Sequence, residues 1–402
     1  MSTKRVSGGV TAPKGFWASG IRCQIKPWKK RDLGLLVSAV PAKVVGALTT
    51  HRLASAPVLW SRRVLKTGQA QAILANSGNA NACTGRRGAS NTQQMASACA
   101  QALQVSRSKV LVASTGVIGV PLPIKKIVAG IPRVAQQLGV RGSDALAEAI
   151  LTTDLKKKQI AVEISVHGKK VRIGGIAKGA GMIQPGMATM FAFLSTDANI
   201  HHSALRKSLK TAVDQTFNAI SVDGQMSTSD SVFLLANGQA GNRSIGANDR
   251  SYNIFSKALA EVCEALAKAI VKDGEGVKRI AQVEILGAKS DAQAKLAARA
   301  VANSPLVKTM IAGADPNWGR VAAAIGGAGV ALHPNRLTIA LCKTPLFRKG
   351  TAIRHNAARL RRRFQKSEVL ITVSLGVGRS SYRMWTGDLT EGYVRFNAKY
   401  TT

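Results

Sequence analysis

Four polar, glycine-rich stretches interrupt the apolar pattern of the sequence and are its first candidates for chemistry. They cover residues 72–85, 110–123, 176–198 and 311–320. Three of them follow predicted strands or run into them, where Asn, Ser, Thr and Gly residues can aim backbone N–H groups at an anion or a developing oxyanion. Each stretch alone is most simply a tight turn, and only together do they favour a site.

Familiar catalytic signatures are absent. The sequence has no P-loop and no GxGxxG after a strand, which argues against nucleotide binding, and it has no GxSxG nucleophile elbow. The histidines lie in charged or loop contexts, none of them at metal-ligand spacing, and surface or capping roles are expected for all six: His51, His167, His201, His202, His333 and His355. The chain therefore offers many hydroxyl groups in glycine-rich loops but no obvious histidine base.

A threonine that becomes a chain N-terminus supplies its own base. Its α-amino group, with a reference pKa of about 7.7–8.0, can take the proton of its hydroxyl. Thr189 stands between Ala188 and a predicted strand at 190–194. A freed N-terminus there would be held rigidly where the strand begins.

The elements that must position these stretches alternate without a fixed repeat, which predicts an α+β class with layered sheets. Residues 160–166 and 170–176 alternate on both sides of His167-Gly168 and predict a β-hairpin. Helical spacing is clear over 205–220, after a cap at Ser203, and over 255–270. Strand-like runs are predicted at 71–75, 109–113, 160–166, 170–176, 190–194, 231–236, 281–286, 337–342 and 369–375.

Composition narrows the class of protein. The 402 residues carry 57 Lys and Arg against 20 Asp and Glu, a formal charge of +37. The basic residues are spread along the chain and aromatic residues make up only 4%, so weak, non-specific polyanion binding and a preference for anionic small substrates are expected, without a specific nucleic-acid site. Five scattered cysteines indicate neither disulfides nor zinc. The sequence shows no membrane span or signal peptide, and the expectation is a cytoplasmic protein with no metal or resident cofactor.

The stretch KGAGMIQPGMATMFAFLSTDA (178–198) resembles the self-cleavage motif of the ornithine acetyltransferase family, the glutamate N-acetyltransferases of the acetyl-recycling arginine pathway. The resemblance covers nearly the whole chain and argues against chance, because the motifs are long and occur in the right order. They are GGVTAPKGF near the start, NSGNANACTG (76–85), STGVIGVPLP (114–123), TTD (152–154), DGEG (273–276), NSPLVKTMIAGADPNWGR (303–320) and NAKYTT (397–402).

The resemblance implies a layered α/β sandwich of the self-cleaving N-terminal-nucleophile type, in two lobes. The precursor would cut itself between Ala188 and Thr189, and the fragments 1–188 and 189–402 would stay associated. Thr189 would accept acetyl from N2-acetylornithine and pass it to L-glutamate in a ping-pong cycle. Thr115 and Gly116 match the family's oxyanion hole.

Further positions match the family's substrate-binding residues: Thr152 or Thr153, Lys178, Thr189, Glu275, Asn397 and Thr402. Lys178 can pair with a substrate carboxylate and Glu275 with an α- or δ-ammonium, while Asn397 can serve either group. Without the motifs, Lys178 and Glu275 would be ordinary surface charges.

The sequence departs from the family pattern in two places that flank the expected site. Gln225 and Met226 stand where the family usually has Asp and Thr, and Ser229 where it has Asn. After DGEG, the usual Ala-Thr-Lys is replaced by Val277, Lys278 and Arg279. These changes bear on substrate preference or rate.

Two other classes of function remain open from the sequence. A self-cleaving amidohydrolase or aminopeptidase uses the same threonine chemistry but transfers to water, and a non-specific polyanion-binding protein would rest on the charge alone. The resemblance also leaves open acetyl-CoA as a co-substrate, which would make the enzyme bifunctional. It further suggests a heterotetramer of two copies of each fragment, with no membrane or specific nucleic-acid partner.

Overall fold

The computed structural model describes residues 3–184 and 190–399. Its strands, in chain order, are β1 Lys4–Val6, β2 Phe16–Ile21, β3 Leu33–Leu48, β4 Gln69–Asn79, β5 Val110–Val117, β6 Lys158–Val166, β7 Lys169–Lys178, β8 Phe191–Thr196, β9 Ile220–Ser221, β10 Ser231–Ala236, β11 Ile280–Ala288, β12 Thr338–Leu341, β13 Thr344–Arg348, β14 Thr351–Ala352, β15 Glu368–Ser374 and β16 Ser380–Gly387. Its α-helices are α1 Ala56–Lys66, α2 Gly85–Leu103, α3 Ile124–Gln136, α4 Ser143–Ala149, α5 His202–Gln215, α6 Arg250–Lys272, α7 Asp291–Asn303, α8 Pro305–Ala312, α9 Trp318–Gly326, α10 Ala357–Phe364 and α11 Glu391–Asn397.

Within this described part of the chain, the strands form two sheets. The larger has nine strands in the order β1-β6-β7-β8-β10-β3-β4-β5, with β2 paired to β3. The smaller has seven strands in the order β14-β13-β12-β15-β11-β16-β9. Each sheet has its own core, and together they make the two predicted lobes.

The long strand β3 folds the larger sheet over itself. Its first part pairs with β2 and β4, its last part pairs with β10, and the register shifts between Val37 and Ala42. The two halves of the sheet therefore face each other across one core, where Phe193 and Phe233 meet Leu36 and Ile73. Two β layers packed in this way need helices on their outer faces.

Helices cover both outer faces of the folded sheet. Apolar residues of α5 and α6, such as Leu205 and Leu259, pack against Val162 and Leu194 on one side. Residues of α2 and α3 pack against β4 and β5 on the other side. The resulting order of helix, sheet, sheet and helix confirms the predicted α+β sandwich.

The second lobe consists of the smaller sheet and the helices α7 to α10, which share one core. A buried lysine ties it to the first lobe: Lys308 Nζ donates hydrogen bonds to Val222 O at 2.7 Å, Thr386 Oγ1 at 2.8 Å and Gly387 O at 2.7 Å. Burial lowers the pKa of Lys308 to about 8. The fourth glycine-rich stretch, 311–320, lies in this lobe between α8 and α9.

All nine strand-like runs predicted from the sequence are strands. The predicted hairpin is β6 and β7, and its turn residues His167 (φ 49°) and Gly168 (φ 73°) both have positive φ, as a type I′ turn requires. The predicted start of α5 is wrong, because His201 and not Ser203 precedes its first turn. In residues 3–184 and 190–399, no helix is long and apolar enough to cross a membrane.

The larger sheet is built from both sides of the predicted cleavage point. Strands β8 and β10 follow residue 189 and pair with each other, yet their outer neighbours β7 and β3 precede residue 188. Two ladders of six residue pairs each therefore join the segments 3–184 and 190–399 within one sheet.

Candidate active site

The predicted site residues that the structure describes line one cavity of about 440 Å³. These are Thr115, Gly116, Thr152, Thr153, Lys178, Glu275 and Asn397. Ala188, Thr189 and Thr402 lie outside the described residues. Three of the four glycine-rich stretches contribute to the lining, and the stretch 311–320 does not. That stretch is therefore a turn of the second lobe, not part of this site.

Thr115 and Gly116 are held at the end of β5 by its parallel neighbour β4, where Gly78 is the register partner of Gly116. Gly116 has φ +130°, and a Cβ there would lie 2.3 Å from the carbonyl carbon of Gly78 and 2.5 Å from Asn79 N. Only glycine fits this backbone. The strand pairing thus fixes the Thr115 hydroxyl and the following peptide at the cavity wall.

Lys178 brings a buried ammonium group to the same wall. The residue is 2% exposed, and its Nζ donates a hydrogen bond to Thr115 Oγ1 at 3.3 Å. Among the described residues, no carboxylate lies within ion-pair distance of Lys178. Burial lowers the pKa of Lys178, although the charges of Asp154 and Glu275 act in the opposite direction. Such a cation is suited to an anionic ligand.

Asp154, Lys158 and Asp273 form a buried ion network that contacts Gly179, the residue after Lys178. Asp154 Oδ1 accepts hydrogen bonds from Lys158 Nζ and from Gly179 N, both at 2.7 Å, and Asp154 Oδ2 accepts one from Thr152 N at 3.1 Å. Lys158 Nζ also contacts Asp273 Oδ2 at 2.6 Å. Burial alone would raise the pKa of Asp154, but the charges of the two lysines hold it well below its usual range. The network anchors the Thr152 loop to the end of β7.

A second group of lining residues is acidic. Asn397, at the end of α11, donates from Nδ2 to Glu275 Oε2 at 2.9 Å, and the Glu275 carboxylate lies against Gly181, where a Cβ would approach it to 2.5 Å. The Tyr393 hydroxyl donates to Asp223 Oδ2 at 3.4 Å. Burial raises the pKa of Asp223, and burial beside these carboxylates raises that of Tyr393 to about 12. The cavity is therefore lined by a lysine and by two carboxylates, charges that suit the carboxylate and ammonium groups of an amino-acid ligand.

Two aspartates hold the chain on both sides of residues 185–189. Asp223 accepts backbone hydrogen bonds from Met182 N at 2.6 Å and Ile183 N at 2.9 Å, and Asp230 Oδ1 accepts one from Met190 N at 2.8 Å. Burial raises the pKa of Asp230 well above its usual value. Neither aspartate is among the predicted site residues.

The two groups of departures from the family pattern have different surroundings. Gln225, Met226 and Ser229 line the cavity and can therefore touch a substrate. Val277 packs against the core of the first lobe. The backbone N–H groups of residues 278 and 279 donate to the Asp388 carboxylate at 2.9 and 3.1 Å. Residues 277–279 therefore contact other parts of the protein and are not among the residues that line the cavity.

His51 also lines the cavity, and its hydrogen bond is a local one of the capping kind predicted for the histidines. Leu53 N donates to His51 Nδ1 at 3.0 Å, so in the neutral ring the proton belongs on Nε2. By contrast, His201 precedes the first turn of α5 and His167 pairs with Asp249 at 2.9 Å. Among the described residues, no cluster of three or more His, Cys, Asp or Glu side chains could hold a metal ion.

Comparisons with known proteins match nearly the whole chain. Residues 17–402 match a sequence family described as the ArgJ family. The chain is 44% identical over 399 residues to an arginine biosynthesis bifunctional protein ArgJ from Symbiobacterium thermophilum, covering 99% of each chain. It is 41% identical over 401 residues to the protein of that name from Bacillus anthracis, covering 100% of this chain and 98% of the relative. A solved structure of an ornithine acetyltransferase complexed with ornithine, from Mycobacterium tuberculosis, is 40% identical over 46% of this chain and 98% of that chain, with a TM-score of 0.43.

Proposed function

The chain belongs to the ArgJ family, as its sequence motifs predicted, and on that premise we propose how its cavity works. The protein is an acyltransferase of arginine biosynthesis that transfers acetyl from N2-acetylornithine to L-glutamate. The observation that carries the mechanism is the meeting of the Lys178 ammonium, the Thr115 hydroxyl and the Glu275 carboxylate in one cavity.

Lys178 recognises the α-carboxylate that donor and acceptor share. Its ammonium group is buried and has no carboxylate of the described chain within ion-pair distance. A substrate carboxylate would supply the missing counter-charge with a charge-assisted hydrogen bond. Thr152 or Thr153, on the loop anchored by Asp154, would contribute a hydroxyl to the same end of the substrate.

Glu275 and Asn397 receive the amino groups. Glu275 can accept hydrogen bonds from the δ-ammonium of ornithine, and Asn397, which already donates to Glu275, keeps its side-chain oxygen free to accept another. Thr402, five residues further along the chain, is assigned to the same end of the substrate by the family resemblance alone.

Thr115 and Gly116 stabilise the tetrahedral oxyanion. Because Lys178 donates to Thr115 Oγ1, the hydroxyl hydrogen of Thr115 remains available for a second acceptor. An oxyanion is such an acceptor, and the N–H of Gly116 would be the second donor. Donors that are fixed in advance cost no reorganisation during the reaction.

The nucleophile is created by self-cleavage. Attack of the Thr189 hydroxyl on the Ala188 carbonyl carbon forms an ester as the peptide C–N bond breaks, which frees the α-amino group of Thr189; water then cleaves the ester, which frees the Thr189 hydroxyl and leaves a carboxylate on Ala188. The ladders of β7 with β8 and of β3 with β10 join the segments on both sides of the cut. They support the proposal that the fragments 1–188 and 189–402 stay associated.

Each half of the cycle exchanges one acyl bond. The Thr189 hydroxyl, with its proton taken by the α-amino group, attacks the acetyl carbon of N2-acetylornithine; an ester forms, the amide C–N bond breaks, and the proton goes to the leaving ornithine amine. The neutral amine of glutamate then attacks the ester, forming N-acetylglutamate and restoring the hydroxyl. We also propose that two copies of each fragment assemble as a heterotetramer and act in the cytoplasm, as suits a biosynthetic enzyme.

The test is a half-reaction. Cleaved protein is mixed with N2-acetylornithine alone, and the mass of each fragment is measured before and after glutamate is added. We expect one acetyl group on the fragment that begins with Thr189, and its quantitative conversion to N-acetylglutamate. Release of free acetate in place of N-acetylglutamate would identify an amidohydrolase, and absence of any acetyl-enzyme would contradict the mechanism. Neither a hydrolase nor a polyanion-binding protein is favoured by the relatives, which are named as biosynthetic proteins.

A further inference from the structure

Asp230 lies beside the residue that follows Thr189, because β8 and β10 pair in parallel. In that ladder Ser231 is the register partner of Phe191, so the residues before them, Asp230 and Met190, also lie side by side. Ser231 N donates a hydrogen bond to Met190 O at 3.1 Å, and Asp230 Oδ1 accepts one from Met190 N at 2.8 Å. The sheet therefore fixes this carboxyl group next to the start of the second predicted fragment.

The other oxygen of the Asp230 carboxyl group is buried without a partner. Asp230 is 0% exposed, and among residues 3–184 and 190–399 its Oδ2 has no hydrogen-bond partner. Thr49, whose N–H donates to Asp230 O at 3.0 Å, does not fill this place, because its one hydroxyl hydrogen already goes to Ser227 O at 2.7 Å. Buried polar atoms without a partner are uncommon in native proteins. This oxygen therefore points to a donor outside those residues.

Two other aspartates of this chain show how such a carboxyl group binds the backbone when both of its oxygens are used. Asp223 accepts hydrogen bonds from Met182 N at 2.6 Å and Ile183 N at 2.9 Å. Asp388 accepts them from the N–H groups of residues 278 and 279 at 2.9 and 3.1 Å. In both cases each oxygen takes one of two successive N–H groups. Asp230 makes half of this arrangement.

The nitrogens on the two sides of Met190 are the candidates for the missing donor. Phe191 N is unsuitable, because β8 lies between β7 and β10 and successive N–H groups of a strand point to opposite sides. With Met190 N directed at Asp230, the N–H of Phe191 points toward β7. The nitrogen of Thr189 remains, and covalent geometry places the nitrogens of successive residues about 3–4 Å apart. A carboxyl group held at Met190 N is therefore within reach of it.

We propose that Asp230 is a positioning residue for the nucleophile: its free oxygen accepts a hydrogen bond from the α-amino group of Thr189 and so directs the lone pair of that amine to the Thr189 hydroxyl. The inference rests on the proposed self-cleavage, which creates this amine. A general base must lie within hydrogen-bond reach of the proton that it takes, and a third group commonly orients it. Asp230 supplies that third group.

Two charges act on this amine in opposite directions. An ionised Asp230 favours the ammonium form of the α-amino group, whereas the charge of Lys178 disfavours it. Burial raises the pKa of Asp230 well above its usual value, and the charge of Lys178 acts against that rise. The expected contribution of Asp230 is therefore the orientation of the amine and not a shift of its pKa.

The experiment compares Asp230→Asn with Asp388→Asn. Asparagine keeps one oxygen for a backbone N–H but replaces the other by an amide nitrogen, which cannot accept a hydrogen bond. Asp388→Asn is the matched control, because it makes the same change in a buried aspartate that does not line the active-site cavity. Intact mass reports self-cleavage, titration calorimetry reports binding of L-ornithine, and a single turnover with N2-acetylornithine gives the rate of acetylation.

We expect the Asp230→Asn variant to cleave itself, to bind L-ornithine with an unchanged Kd and to become acetylated about 10- to 100-fold more slowly. This loss is part of the about 100- to 10,000-fold that general acid–base catalysis contributes. The Asp388→Asn variant should be acetylated like the wild type. Equal losses in both variants would identify a structural effect and overturn the inference, as would an unchanged rate in the Asp230→Asn variant. A variant that stays full length would also overturn it, because it would assign Asp230 to self-cleavage.

A crystal structure of the cleaved wild type tests the same contact without any substitution. Asp230 Oδ2 should lie about 2.7–3.2 Å from the α-nitrogen of Thr189, and a separation beyond hydrogen-bond distance would overturn the inference even if neither variant folds. A wild type that forms no acetyl-enzyme would instead contradict the proposed function, and the measured separation would still decide the role of Asp230.

Discussion

Replacing Lys178 by methionine removes the cation on which substrate recognition depends while keeping most of the side-chain volume. Lys178 is 2% exposed and donates to Thr115 Oγ1 at 3.3 Å. Loss of one partner of a buried, hydrogen-bonded charge pair costs about 2–5 kcal/mol, which corresponds to about a 30- to 4,000-fold loss in kcat/KM. Because donor and acceptor both carry the α-carboxylate, the Lys178→Met variant should lose this factor for N2-acetylornithine and for glutamate. Steady-state kinetics on cleaved protein measure it.

The free energy of unfolding of the Lys178→Met variant should not fall in the way that its activity does. Burial lowers the pKa of Lys178, so between its folded and unfolded pKa values the unfolded state binds more protons and the free energy of unfolding rises with pH. The Lys178→Met variant should lack this rise and should not be less stable at neutral pH. Lys308→Met is the matched control, since Lys308 is similarly buried but donates to three acceptors, Val222 O in the first lobe and Thr386 Oγ1 and Gly387 O in the second.

The control should lose about 1–3 kcal/mol of stability for each buried acceptor left unpaired, with kcat/KM nearly unchanged. Urea unfolding measures both variants. A Lys178→Met enzyme within three-fold of the wild type in kcat/KM for both substrates would refute the assignment of Lys178 to the carboxylate.

Three further predictions concern the rest of the site. Thr115→Ala should lower kcat about 100- to 1,000-fold with little change in KM, whereas Thr115→Ser, which keeps the hydroxyl, should retain most of the rate; equal losses in both variants would move the oxyanion hole elsewhere. Deleting residues 397–402 should remove the Asn397 contact to Glu275 and raise KM for both substrates while self-cleavage continues, and unchanged KM values would contradict this. Activity should rise with pH through an apparent pKa at or below about 8, as the proposed α-amino base loses its proton, because a positive charge on Lys178 in the same site would disfavour the ammonium form of that base. It should fall again as Lys178 loses its own proton earlier than an ordinary lysine does, and the Lys178→Met variant should lack this alkaline limb.

Short strands with β-branched runs were predictable because each has a clear local pattern, but β3 was not. Its 16 residues include Pro41, which is unusual within a sheet. The strand accommodates Pro41 because the register shifts between Val37 and Ala42, where the strand changes partners. The apolar stripe over 205–220 was assigned to one helix, yet α5 ends at Gln215, and Phe217 and Ile220 reach the same core from a turn and from β9. The apolar side chains therefore remain in the core after the helix has ended.

The glycine-rich loops after β4 and β5 were linked from the sequence only by the family motifs that they carry, whereas their meeting at one edge of the sheet follows from the parallel pairing of β4 with β5, which the sequence did not predict. His51, Asp223 and Asp230 gave no comparable signal. Each is a single polar residue in an irregular segment, and its place beside the cavity or beside residues 185–189 depends on long-range contacts.

The central claim, that this chain makes its own nucleophile, is tested most directly by the intact mass of the purified protein under denaturing conditions. The wild type should give two fragments that meet between Ala188 and Thr189, and the Thr189→Ala variant should give one full-length chain without acetyl transfer. A wild type that stays full length and still transfers acetyl from N2-acetylornithine to glutamate would contradict the account.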